Sequence, residues 1–97
     1  MVESLTTILP PFSAFPKIKR VILFGSRARE DHEERSDIDL AIDAPDMDIL
    51  SWTDFCAYME EHSNTLLRLD LIWLQEAKKR LKENIEKNGV ILYERKD

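Results

Sequence analysis

Asp37-Ile38-Asp39-Leu40-Ala41-Ile42-Asp43 alternates between branched aliphatic residues and acidic or small ones. A period of two is that of an extended strand, whose successive side chains point to opposite faces. Ile38, Leu40 and Ile42 therefore share one face, and Asp37, Asp39, Ala41 and Asp43 share the other. Pro45 closes the strand. Upstream, Val21-Ile22-Leu23-Phe24 is apolar on both sides and ends at Gly25, the pattern of a buried central strand. The intervening residues 27–36 are almost all charged and are expected to be exposed. Downstream, Ile49, Trp52, Cys56 and Met59 recur at steps of three and four with Phe55 beside them, which predicts a helix over residues 48–62 buried through that stripe. Asp46 or Asp48 is its expected N-cap. Residues 66–74 read as a third strand, with Arg68, Asp70 and Ile72 on one face and Leu67, Leu69, Leu71 and Trp73 on the other. Residues 75–87 read as a second helix with Ala77, Leu81 and Ile85 in line, ended by Asn88-Gly89. Residues 90–93 form a short last strand. Ahead of the first strand, residues 3–9 suggest a short helix, and Pro10-Pro11 and Pro16 make residues 10–16 an irregular turn. The order α-β-β-α-β-α-β predicts an α/β domain, a small sheet with helices packed on it.

At 97 residues the chain has room for one domain. Hydrophobic residues make up 43% and charged residues 34%, so it is expected to fold rather than remain disordered. No apolar run approaches the ~20 residues of a membrane span. Met1-Val2-Glu3-Ser4 carries an acid where a signal peptide carries a base, so a cytoplasmic location is expected. The lone Cys56 excludes an internal disulfide and a cysteine-built metal site, and on an apolar helix face it is expected to be buried and inert. Fourteen Lys and Arg against 19 Asp and Glu give a net charge of −5, with no basic tract, which argues against direct nucleic-acid binding. His32 and His62 are too few for a histidine-rich zinc site. Any chemistry must rest on carboxylates, hydroxyls and backbone amides.

Two places are suited to such chemistry. Gly25-Ser26 stands where a buried strand ends, and the amides that follow, with the Ser26 hydroxyl, could form an anion-binding corner for phosphate. The same pair could equally be a simple turn. Asp37 and Asp39 project from one face of a strand, where aspartate is disfavoured and two carboxylates repel one another unless a cation lies between them. Hard oxygens at this spacing suit Mg²⁺. The plain alternative is a solvent-facing strand with acids for solubility. Asp70 lies within an apolar run and is expected to be partly buried. It either joins the other two acids or pairs with Arg68 for structure alone.

Together these residues are more specific than apart. Gly25-Ser26, ten residues, then Asp37-Ile38-Asp39 match the Gly-Ser-x10-Asp-x-Asp signature of the nucleotidyltransferase superfamily that includes DNA polymerase β. The strings Leu23-Phe24-Gly25-Ser26-Arg27-Ala28-Arg29 and Ser36-Asp37-Ile38-Asp39-Leu40-Ala41-Ile42 resemble the minimal nucleotidyltransferases (MNT) in particular. Asp70, in Leu69-Asp70-Leu71-Ile72, fits that family's third acid, and Gly89-Val90-Ile91-Leu92-Tyr93 is similar to the end of its chains. The resemblance covers residues 19–93. It implies a polymerase β-like fold with a small mixed sheet, in a single domain over residues 1–97. It also implies roles. Gly25 and Ser26 would hold the β- and γ-phosphates of a nucleoside triphosphate, with Arg27, and less so Arg29, beside them. Asp37 and Asp39 would bind two Mg²⁺ ions, and Asp70 would bind one of these and help deprotonate the acceptor hydroxyl. One ion would lower the pKa of the attacking hydroxyl and the other would neutralise the leaving pyrophosphate.

Larger members of the superfamily carry a further domain for the acceptor. Here little of the chain remains for one, so the acceptor is expected in trans, with a homo-oligomer as another way to complete the site. MNT proteins pair with helical HEPN ribonuclease toxins. The resemblance implies an antitoxin that transfers AMP from ATP to a toxin tyrosine. The alternatives are an antitoxin that acts by occlusion alone, or nucleotidyl transfer to a small molecule. Arg27-x4-His32 has the spacing of a HEPN ribonuclease motif, but it lies in a charged loop and not on a helix of an all-α protein. Trp52, Phe55, Met59 and Trp73 are expected in the core, Tyr93 on the sheet, and His62 at a helix end.

Overall fold

Ile38, Leu40 and Ile42 are fully buried, as their shared face requires. The computed structural model describes residues 9–25, 37–63, 65 and 68–95. Its elements run β1 (Arg20–Phe24), β2 (Ile38–Asp43), α1 (Ile49–His62), β3 (Leu69–Trp73), α2 (Lys79–Asn88) and β4 (Val90–Glu94). The sheet order is β3-β2-β1-β4. β1 is antiparallel to β2 and β4, whereas β2 and β3 are parallel. A parallel pair needs a crossover, and α1 supplies it. The result is the small mixed sheet expected of an α/β domain. Apart from Leu9, the expected first helix lies outside the described residues, as does the charged stretch at 27–36.

The sheet has two unequal faces. On the first, Val21, Leu23, Ile38, Leu40 and Ile42 meet Phe55 and Met59 of α1. Phe12 and Ile18 join this core from the segment before β1. On the second, Ile22 and Ala41 meet Leu74 and Ile85, with Phe24 and Leu81 packed alongside. Ala41 is the one small residue in the acidic row of β2, and there α2 comes down on the sheet. The Asp48 carboxylate caps α1 by accepting the Ser51 N–H at 2.8 Å. Trp73 stacks on Trp52, with centroids 5.4 Å apart, and donates its ring N–H to the Ala44 carbonyl at 3.0 Å. Tyr93 packs on Phe12 at 5.8 Å. His62 ends α1 with its ring stacked on Tyr58.

Three expectations about these elements need correction. Residues 10–16 are not wholly irregular, because Phe12–Ala14 forms a 3-10 turn that buries Phe12. Ile49 is not on the buried stripe of α1 and is 66% exposed. Phe55 and Met59 set the buried side, and six residues of helix turn Ile49 roughly 120° away from Phe55. The second helix does not start at Gln75: Leu74–Glu76 is a 3-10 turn and α2 begins at Lys79. The cause is tertiary. The Gln75 side chain accepts the Ala44 N–H at 2.9 Å and donates to Asp43 Oδ1 at 2.7 Å, which fastens this segment to the end of β2. At the other end of α2, Gly89 has an ordinary φ of −74°. Glycine is needed there for space, since a Cβ would overlap Ile22 Cγ2 and lie 2.6 Å from the Ile85 carbonyl oxygen.

Asp43 is the one charged residue buried among those described. Arg20 Nε donates to its Oδ2 at 2.7 Å, and Arg20 Nη2 reaches Glu86 of α2 at 2.8 Å. Burial alone would raise the Asp43 carboxyl, but hydrogen bonds from Arg20 and Gln75 outweigh it and hold the group below the usual carboxylate range. A depressed folded-state pKa adds stability above the unfolded value, and that stability is lost as pH falls through the folded one. Asp43→Asn should therefore lower stability at pH 7 by about 1–3 kcal/mol. It should also flatten the loss of stability that the native chain shows below about pH 4. Urea unfolding across pH 2–7 (about the carboxylate range) reads both effects.

Candidate active site

The second face of β2 presents Asp37, Asp39, Ala41 and Asp43 in turn. α2 covers Ala41, and Arg20 and Gln75 engage Asp43. That leaves Asp37 and Asp39 at the end where β1 finishes and β3 begins. Asp39 is half-buried and Asp37 exposed. Their α-carbons are separated by about 6–7 Å along the strand.

The β2–β3 register brings in the third acid. Asp39 is paired with Asp70, and Ile38 with Leu69. Paired residues of adjacent strands point to the same side, so the two carboxylates rise from one face with α-carbons about 5 Å apart. Asp70 is exposed, not partly buried as its apolar neighbours suggested. β3 is an edge strand, and α2 covers the other half of this face. The structural alternative for Asp70 is also absent: among the described residues neither Asp70 nor Arg68 enters an ion pair.

Gly25 follows β1 directly and has a φ of +76°, the left-handed region that favours glycine. A second constraint acts on the same atom. A Cβ on Gly25 would overlap Asp39 Oδ2 and lie 3.2 Å from Asp39 Cγ. The carboxylate of Asp39 thus packs against the bare α-carbon of Gly25, and Phe24 is its register partner on β1. Ser26, Arg27, Arg29 and His32 lie outside the described residues. The described part of the site therefore contains Asp70, Asp39 with Asp37, and Gly25, in that order across three strands.

Among the described residues no group of three His, Cys, Asp or Glu side chains is spaced to hold a metal ion. The donor set still fits Mg²⁺, which takes one or two carboxylates and completes its shell with water and substrate phosphates. The neighbouring pair Asp39 and Asp70 is of that kind. Sequence reasoning did not foresee two features. The grip on Asp43 removes it from the acidic row, a fate signalled only by Arg20 and Gln75, which are distant in sequence. The register also extends to set Arg68 beside Asp37, with the Ile38 N–H donating to the Arg68 carbonyl at 2.9 Å.

Gly25→Ala should cost roughly 1–2 kcal/mol through its left-handed φ and push the Asp39 carboxylate off its seat. Thermal unfolding measures the first effect, and the carboxyl ¹³C shift of Asp39 the second. An unmoved shift would show that the contact does not hold Asp39.

A family model described as polymerase β, nucleotidyltransferase matches residues 6–97. No curated protein matches the chain in sequence. Solved structures share its fold. One is a tri-AMPylated HEPN toxin of Shewanella oneidensis in complex with MNT antitoxin, with a TM-score of 0.64 and 21% identity over 97% of this chain and 70% of that one. A second is a toxin–antitoxin structure with AMP-PNP, with a TM-score of 0.59 and 23% identity over 97% of this chain and 70% of that one. A third, from Sulfolobus solfataricus, is described as a putative nucleotidyltransferase, with a TM-score of 0.52 and 24% identity over 97% of this chain and 74% of that one. The family match runs through every strand and helix of the described residues, and this chain belongs to the polymerase β nucleotidyltransferase family.

Proposed function

We propose that this nucleotidyltransferase transfers AMP from ATP to a tyrosine hydroxyl of a helical HEPN-type partner and acts as the antitoxin of that pair. The observation that carries the reading is the register that sets Asp39 beside Asp70 while Asp39 packs on Gly25. It sets Asp70, Asp39 and Gly25 side by side across three neighbouring strands, which supports reading them as the acceptor side, the carboxylate pair and the phosphate corner. Similar folds occur with a tri-AMPylated HEPN toxin and with AMP-PNP, which supports ATP as donor and a protein as acceptor.

In this reading the backbone at Gly25, with Ser26 and Arg27, receives the triphosphate tail. Asp37, Asp39 and Asp70 would hold Mg²⁺, which when bound makes the hydroxyl more acidic and offsets charge on the departing pyrophosphate. Asp70, exposed at the sheet edge, takes the proton of the incoming hydroxyl. The hydroxyl oxygen forms a bond to the α-phosphorus, the bond from that phosphorus to the β-phosphate oxygen breaks, and pyrophosphate leaves. Little else is asked of the protein than positioning and charge balance.

The test uses α-labelled ATP, Mg²⁺ and the co-expressed helical partner. Native protein should label the partner. Asp39→Asn should lower labelling by about 10²-fold or more while the two proteins still co-purify. Persistent labelling would show that Asp39 has no part in the reaction. If labelling is lost but the partner is still neutralised, occlusion and not AMP transfer is the antitoxin's mode of action.

A further inference from the structure

The outer face of α1 grades from apolar to acidic along its length. Among the described residues three large apolar side chains are exposed, and two of them, Ile49 (66%) and Leu50 (74%), are neighbours in the first turn of this helix. Isolated exposed aliphatics are ordinary, and this pair is distinguished by its place on the face. Phe55 and Met59 set the buried side. At about 100° of rotation per residue, Thr53 and Ala57 come out opposite them, and both are exposed. The same rotation sets Ile49 and Leu50 to either side of that line at one end, and Glu60 and Glu61 to either side of it at the other. The Thr53 hydroxyl donates to the Ile49 carbonyl at 2.9 Å, so it is satisfied within the helix. The two small residues thus form a shallow groove between an aliphatic pair and an acidic pair, which lie about 16 Å apart along the axis.

The grading selects what can cover this face. Among the described residues neither Glu60 nor Glu61 enters an ion pair, so both are open to cations from outside. The complement is a surface apolar at one end and cationic at the other. A second copy of this chain does not offer one. Antiparallel packing of α1 on its own copy would press Ile49 and Leu50 onto Glu60 and Glu61, and parallel packing would set acid on acid. The exposed side chains of α2 include cations but no apolar residue. A helix of another chain fits, because Thr53 and Ala57 are small enough for the close approach of helix on helix. The topology gives the direction. α1 is the crossover between parallel strands, so it runs from the Asp43 end of β2 back to the start of β3. Glu60 and Glu61 therefore stand toward the end of the sheet that carries Asp37, Asp39 and Asp70.

We infer that the outer face of α1 docks a helix of the partner, apolar where it meets Ile49 and Leu50 and cationic where it meets Glu60 and Glu61. The inference rests on the proposed helical partner and adds the surface that holds it and the direction in which it lies. The acids steer the cationic end of the partner helix toward the acid-bearing end of the sheet, and the aliphatic pair supplies attraction that salt does not screen. Holding and chemistry then fall to opposite faces of one sheet, α1 on the first and the three aspartates on the second.

Binding of the purified HEPN-type partner to the full-length protein tests it. Ile49→Ser with Leu50→Ser should weaken binding about tenfold or more, at low and high salt alike. Glu60→Lys with Glu61→Lys should weaken it at low salt and remove the loss of affinity that salt causes in the native complex. All four positions are exposed, so both variants should melt with the native protein. A photo-crosslinking residue in place of Ala57 should capture a helix of the partner, whereas one in place of the exposed Asn84 on α2 should not. Native-strength binding by both variants, or no crosslink from position 57 in an intact complex, overturns the inference. A native homodimer that the Ile49, Leu50 double variant dissolves also overturns it, since the face then belongs to a second copy. AMP transfer is read separately: binding that depends on this face without labelling of the partner keeps the docking face and removes the proposed reaction. If the native protein binds no such partner, both fall together.

Discussion

The parallel pairing of β2 with β3 is the constraint on which the rest depends. A slip of one residue would turn every side chain of β3 to the opposite face. Asp70 would then enter the core beside Ile38 and Leu40, while Leu69 or Leu71 faced the acids. The slip is resisted because Leu69, Leu71 and Trp73 all pack on the first-face core. Trp73 adds a hydrogen bond to Ala44 and a stack on Trp52. Apolar packing on one face of the sheet thereby fixes where a carboxylate stands on the other.

That coupling explains what could be read from the sequence. The alternation over residues 37–43 and the apolar run ending at Gly25 gave both central strands almost to the residue, because a period of two and a glycine stop are local signals. The same parity set Asp37 with Asp39, and Asp70 with Arg68, whereas it took the β2–β3 register to bring Asp70 to the side of the other two acids. Local signals failed where distant partners intervened. Gln75 looks like a helix start until its amide is seen bound to Asp43 and Ala44. Ile49 looks like core because it continues a run of apolar spacing, yet helix rotation carries it outward. The exposure of Asp70 escaped the sequence because an edge strand and a central strand can have the same composition. Ser26 and Arg27, proposed partners of the triphosphate, lie outside the described residues and add nothing to this comparison.

The acid-bearing face is divided by packing. At the Asp43 end, a buried carboxylate is neutralised by Arg20 and held by Gln75, which ties α2 and the turn before it to β1 and β2. At the other end Asp39 is half-buried against Gly25, and Asp37 and Asp70 are exposed. One strand thus supplies acids for structure and acids proposed for chemistry, and the methyl of Ala41 under α2 marks the border between them. Such an arrangement suits a small domain, since the same helix that completes the core also limits how far the acidic surface extends.

The chain contains two glycines, and both abut the same end of β1. Gly25 continues that strand and is backed by a carboxylate. Gly89 lies across the strand from the other side, against Ile22 and the Leu23 carbonyl. Neither marks a supple point in the backbone, for each is a missing side chain that lets two pieces of structure touch. Sequence drift should therefore be uneven. The outer surface of α2 can be rewritten at small cost, whereas a few ångströms around the tip of a single strand admit almost no change in volume.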